Sequence, residues 1–186
     1  SGYSSAPLSA DVEVALKDKV ASFQAGVDAL AKLTSGKVHL SVNGKTNSIL
    51  SGISGVELHK VFGPHPSGNV GVQIAKIDPI NIGERVWVVA PQDVAIIGDL
   101  FLTGKFEANK VIALAGSEVA NPQYYAVRIC AQIKEIVGGK LASDNVNSHE
   151  SHITFKAPER GVLENIDKKN KDINGLVDYA SEGGGT

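Results

Sequence analysis

Arg85-Val86-Trp87-Val88-Val89-Ala90-Pro91-Gln92-Asp93-Val94-Ala95-Ile96-Ile97-Gly98-Asp99-Leu100-Phe101-Leu102-Thr103-Gly104 places two patterns end to end. Arg85–Ala90 is a short, almost unbroken apolar run, as expected of a strand buried on both faces with Trp87 in the core. Pro91 stands where a helix begins, because its missing N–H would go unpaired there in any case. Val94, Ile97, Leu100 and Phe101 recur at helical spacing and mark that helix's buried face. Gly104 supplies the stop. A buried strand feeding an amphipathic helix predicts layered α/β packing.

Upstream the alternation continues. Leu16, Val20, Phe23, Val27, Leu30 and Leu33 form the stripe of one amphipathic helix, with Ser9 or Asp11 placed to cap it and Gly36 to end it. Val38, Leu40 and Val42 alternate with polar residues, which predicts a strand closing at the Asn43-Gly44 turn dipeptide. Residues 45–55 are polar and glycine-rich and read as a surface connection. Val56–Phe62 is a second strand. Gly63–Gly71 holds two prolines and three glycines in nine residues, a stiff and shaped loop. Val70, Ile74 and Ile77 predict a short helix from near Ser67, closed by Asp78-Pro79.

Downstream the order changes to strand, turn, strand, helix. Val111–Ala115 and Tyr125–Val127 are strands, separated by turns at Gly116 and Asn121-Pro122. Ile129–Val137 is a short helix stopped by Gly138-Gly139. That order starts a small mixed domain, with a boundary near Gly104–Asn109. Ile153–Phe155 reads as a short strand and Ala157–Ile166 as a hairpin return around Glu159-Arg160-Gly161. Glu164–Asp172 is a solvated charge run, and Ser181–Thr186 a frayed end.

Composition removes several function classes. A net charge of −2 over 186 residues gives no basis for binding nucleic acid. The single Cys130 excludes an internal disulfide, a Cys₄ zinc site and an iron–sulfur cluster held by this chain alone. Packing in the core is the default role for that thiol. The most apolar stretch, Val86–Leu102, is interrupted by Pro91, Gln92, Asp93 and Asp99, so no transmembrane segment is expected. Methionine is absent and the start, Ser1-Gly2-Tyr3-Ser4-Ser5, carries no secretory signal. A processed or excised piece is the expectation.

Two segments carry a family resemblance. The first is Val61-Phe62-Gly63-Pro64-His65-Pro66-Ser67-Gly68-Asn69, followed by Asp78-Pro79 and Val86-Trp87. The second is Gln92-Asp93-Val94-Ala95-Ile96-Ile97-Gly98-Asp99-Leu100-Phe101, with Thr103-Gly104 and Val111–Gly116 behind it. Together, over roughly residues 8–142, they resemble the A subunit of the sodium-translocating NADH:quinone oxidoreductase. Gly116, Val119, Pro122, Tyr125, Val127, Ile136, Gly138 and Gly139 also resemble a soluble-ligand-binding β-grasp module, which occurs in the flavin-bearing subunit of respiratory complex I.

The resemblance implies an α/β chain: a partial Rossmann-like portion over 1–109, a small ubiquitin-like β-grasp portion over 110–152, and an unassigned tail over 153–186. It implies that the chain begins inside the Rossmann-like part. Cys130 stands where the family commonly has a glycine before its last β-grasp helix. The implied job is that of a peripheral subunit on the cytoplasmic face of the bacterial inner membrane. Its complex oxidises NADH, reduces ubiquinone and exports Na⁺, with other subunits as partners. NADH and flavins belong to the wider complex, and no cofactor is expected on this piece. Ubiquinone is the candidate ligand.

The candidate ligand-binding residues are Gly63, Pro64, His65, Pro66, Ser67, Gly68 and Asn69. Glycine lets backbone N–H groups approach a flat ring or a phosphate. The loop is neither a dinucleotide fingerprint nor a phosphate-binding loop, and a purely structural turn competes with the ligand role. His65, restrained between two prolines, is the residue type best suited to proton donation near neutral pH. His149 and His152 are too few for a metal centre. No catalytic residue and no metal ligand is nominated. Two other functions stay open: a structural interaction module, and a nucleotide- or flavin-binding oxidoreductase domain.

Overall fold

A computed structural model describes residues 1–6, 8–116, 119–141, 154–156 and 164–165. The chain divides into two compact units, Ser1–Pro7 with Asp11–Ala108 and Leu8–Ala10 with Asn109–Thr186. His149, His152 and the charge run past Asn165 lie outside the described residues.

The first unit opens with α1 (Val12–Ala15), whose N-cap Asp11 accepts the Glu13 N–H at 2.9 Å. The second helix, α2 (Val20–Ala31), is separate. The single helix expected from the apolar stripe is therefore two, because the chain leaves helical geometry at Leu16 and resumes it after Lys19, whose side chain reaches across to Asp99. Leu33, past the end of α2, is 83% exposed and outside the core.

Strand β1 (His39–Asn43) pairs in parallel with β2 (Glu57–Val61), His39 opposite Glu57 and Asn43 opposite Val61. Parallel neighbours need a crossover and cannot be joined by a tight turn. Residues 44–56 provide it, with a 3₁₀ turn at Ile49–Gly52. Leu50 and Ile53 from this segment are buried, so the connection expected on the surface feeds the core.

Helix α3 (Val70–Ile77) follows the proline–glycine loop and ends at Asp78. Helix α4 (Pro91–Thr103) has Pro91 in its first turn and Gly104 as its left-handed cap at φ 70°. The apolar run before it is not a strand. Val86, Trp87 and Val88 are exposed, Trp87 by 90%. Apolar composition encodes removal from water but not the partner that removes it, and no described strand pairs with this run.

The face of α4 also differs from expectation. Pro91, Gln92, Val94, Ala95, Ile96, Gly98 and Asp99 are buried, whereas Leu100 is 41% and Phe101 70% exposed. The cause is a close crossing with α2. A Cβ on Gly26 would lie 2.0 Å from the Val94 carbonyl oxygen, and one on Gly98 would lie 1.7 Å from that of Ser22. The two backbones touch, and the helix turns its small and polar positions inward to allow it. Around this pair Leu16, Phe23, Val27, Leu40, Val42, Leu50 and Val94 form one core.

The second unit contains β3 (Asn109–Ala115), β4 (Gln123–Arg128), α5 (Ile133–Val137), β5 (Thr154–Lys156) and β6 (Glu164–Asn165). Its sheet has the order β4-β3-β5-β6, antiparallel throughout. Leu114 and Val119 are its buried centre, with Tyr125, Val137 and Leu141 packed around them. Cys130 is exposed, contrary to the core role expected of it. It occupies a left-handed turn at φ 68° ahead of α5, a conformation that glycine adopts without strain. The mixed α/β class expected from the sequence holds.

Candidate functional site

In the first unit, β2 and α3 flank a groove of about 410 Å³. Leu58, Val61, Phe62, Val72 and Ile77 give it apolar walls, Ser67 and Gln73 contribute polar groups, and Lys60 and Lys76 add charge. The residues of β2 from Leu58 on, together with Phe62, form one side of it, and α3 with Ser67 the other. Gln73 is 4% exposed. Its Nε2 donates to the Ser67 carbonyl at 3.3 Å. The Gln73 Oε1 and the Ser67 Oγ are buried with no hydrogen-bond partner. An unmet buried polar atom costs about 1–3 kcal/mol, so two in one wall call for an explanation.

The loop ahead of α3 is braced from the N-terminal segment. The Tyr3 hydroxyl donates to the Gly63 carbonyl at 3.1 Å, and the Gly68 N–H donates to the Ser5 Oγ at 2.7 Å. The same Ser5 hydroxyl lies 3.2 Å from His65 Nδ1. A Cβ on Gly68 would fall 2.0 Å from the Ser5 nitrogen, so this glycine is required by close approach of its own chain. Ser67 and Asn69 donate their N–H groups to the carbonyls of Pro64 and Pro66. Among the seven loop residues singled out in the sequence, Ser67 lines the groove. Gly63 and Gly68 face the brace, Pro64, His65 and Pro66 are exposed, and Asn69 caps α3 with its backbone.

Other polar groups in this unit were not singled out in the sequence. Gln73 gave no signal, because a lone glutamine on a helix reads as solvated. Asp99 is held by Lys19 at 2.6 Å and by the Ser22 hydroxyl at 2.5 Å. Burial pushes its carboxyl up, but these two hydrogen bonds outweigh burial and hold it below the ordinary carboxylate value. On the strand pair, Lys37 hydrogen-bonds Glu57, which raises the ammonium and lowers the carboxyl from their ordinary values. His39, Glu57 and His59 stand together there. His39 stands 20 positions from His59, which left no spacing signal for the trio, and the parallel register brings it beside Glu57 and His59.

An α/β unit with a half-polar groove, followed by a small antiparallel sheet, defines a mixed two-module protein. A family model described as the NqrA second alpha/beta domain matches residues 1–106, and one described as the NQRA C-terminal domain matches residues 111–147. The chain belongs to the NqrA family. It is similar to the Na(+)-translocating NADH-quinone reductase A subunit of Serratia proteamaculans, 39% identical over 137 residues, covering 74% of this chain and 30% of the relative. The protein of the same name from Saccharophagus degradans is 36% identical over 135 residues, covering 73% and 30%. That from Neisseria meningitidis serogroup B is 35% identical over 140 residues, covering 75% and 31%. The chain thus spans about 30% of the length of these relatives. Among the described residues, no helix is long and apolar enough to cross a membrane.

Proposed function

We propose that the chain serves within the A subunit of a respiratory complex that couples NADH oxidation and ubiquinone reduction to Na⁺ export. In that reading it is peripheral, lies on the cytoplasmic face of the inner membrane, docks against other subunits and contributes to a quinone site. The domain assignment that accompanies this reading is the partial Rossmann-like portion over 1–109 and the β-grasp portion over 110–152. Electron carriers belong to the rest of the complex.

The observation that carries the ligand role is the wall of the β2–α3 groove, where Ser67 Oγ and Gln73 Oε1 have no partners. A flat ring fits a slot with apolar sides and a few convergent polar groups. The unmet Gln73 atom is the acceptor Oε1, which a hydroxyl-bearing ring complements better than a carbonyl, while the unmet Ser67 hydroxyl can serve either. The reduced quinone is the expected preference. Of the loop residues from Gly63 to Asn69, Ser67 is then the one that touches the ligand, and the others hold it in place.

Titration of a short-chain ubiquinol into the isotope-labelled chain tests this. Shifts should concentrate at Val61, Phe62, Val72 and Gln73. Gln73→Leu, which removes the acceptor and keeps the volume, is expected to weaken binding about tenfold. No saturable shift with either redox form would remove the ligand role and leave docking alone.

A further inference from the structure

We propose that His39, Glu57 and His59 form a three-ligand site for a divalent transition-metal ion of the Zn²⁺ type. The inference does not depend on what occupies the groove.

The parallel register builds the constellation. His39 lies opposite Glu57, and Ser41, two residues on, lies opposite His59. Side chains two apart on a strand share a face, so all three project from one side of the β1–β2 pair. His39 Nδ1 and His59 Nε2 are 3.0 Å apart, and the rings stack at 5.2 Å between centroids. Glu57 Oε2 is 3.5 Å from the same His39 Nδ1. One donor atom from each side chain lies within 4.8 Å of the other two. Two nitrogens bound to one tetrahedral zinc at about 2.0 Å stand about 3.3 Å apart. The observed pair needs to open by only a few tenths of an ångström.

The donor chemistry selects the ion. Two imidazoles and one carboxylate suit zinc, and also cobalt, nickel and copper, far better than calcium or magnesium, which take oxygen ligands. Three protein ligands leave a fourth position for water or an added ligand. His59 also lines the groove, so an ion here sits at the groove's rim. The surroundings supply outer support. Lys37 engages Glu57 Oε1 and leaves Oε2 toward the histidines. Asp78 Oδ2 lies 3.9 Å from His39 Nε2, the ring nitrogen that points away from the cluster. At that distance it makes no hydrogen bond, and its charge favours a cation at the cluster.

Calorimetric titration of the full chain with Zn²⁺, paired with the visible absorption of bound Co²⁺, decides the matter. The background is the His149→Ala/His152→Ala variant, which removes the other closely spaced histidines. One saturable site is expected there. Adding His39→Ala and His59→Ala should weaken it by about 100-fold or more, and Glu57→Gln by about tenfold, since outer partners alone are worth 10–100-fold. Circular dichroism verifies that each variant is folded. Should the double change unfold the chain, His39→Gln and His59→Gln are measured singly by the same criterion. Absence of saturable binding in the background variant, or binding that survives loss of both histidines, overturns the site.

Discussion

Asp99 is a carboxylate at a helix contact, with Lys19 and Ser22 as donors. Removing its charge leaves the Ser22 hydroxyl and a half-exposed ammonium facing an amide. Asp99→Asn should cost about 1–3 kcal/mol at neutral pH, most of it from the buried Ser22 bond, because exposed ion pairs contribute little. The pH dependence has a defined sign. The folded-state pKa lies below the unfolded value, so the carboxylate's stabilisation is complete above the unfolded value. It is lost as pH falls through the ordinary carboxylate range and on through the depressed folded value. Chemical denaturation should therefore show a gap between wild type and Asp99→Asn that is constant near neutrality and closes in acid. A gap that widens in acid would contradict the assignment. Sequence alone could not show this residue, since Lys19 and Asp99 are 80 positions apart. At Cys130 the thiol advertises burial and not backbone geometry, and the one sequence signal of its left-handed turn is the glycine that the resembling family commonly has there.

At the scale of elements, the crossing of α2 and α4 organises the first unit. Gly98→Ala would drive a methyl into the Ser22 carbonyl and force the helices apart. A loss of about 3 kcal/mol or more is expected in equilibrium unfolding, at the upper end of overpacking costs. Gly71→Ala is the matched control, because a Cβ there meets nothing within 4 Å on α3. The helix boundaries of α4 were legible, Pro91 and Gly104 being local signals that depend on no neighbour. Its buried face was legible only at Val94, which is buried in the core and meets Gly26. A count of apolar positions also points to Ile97, Leu100 and Phe101, whereas the rest of the contact is made by Gly98 and Asp99, which carry no hydrophobic signature. The same limit applies to β1 and β2. Their extents followed from alternation, but the parallel pairing that assembles His39, Glu57 and His59 rests on a crossover whose buried Leu50 and Ile53 sit in a polar stretch. For the groove, the proline–glycine loop stood out in the sequence, and Ser67 within it lines the cavity, while Gln73 did not stand out at all.

Across the whole molecule, the two units differ in how well the described residues cover themselves. Ile82, Trp87, Phe101, Leu102 and Phe106 in the first unit are more than half exposed. Large exposed apolar side chains mark surfaces that are covered in the working assembly. The docking part of the proposed function places that cover in the remaining length of the subunit or in its partners. Trp87→Ser with Phe101→Ser, introduced into a full-length subunit, should reduce its recovery with the rest of the complex in affinity purification. The same pair should leave the melting temperature of this chain unchanged or slightly raised. A fall of several degrees with normal assembly would show instead that these side chains serve the fold.

The brace formed by the first residues bears on the order of biosynthesis. Gly2 bonds to Ser41, Tyr3 to Gly63 and Ser5 to Gly68, so this segment is made before its partners, which follow by up to 63 positions. At a translation rate of roughly 5–20 residues per second, those partners emerge about 2–13 seconds afterwards. During that interval the nascent segment has nothing to hold, and the loop it steadies can settle only once both ends have left the ribosome.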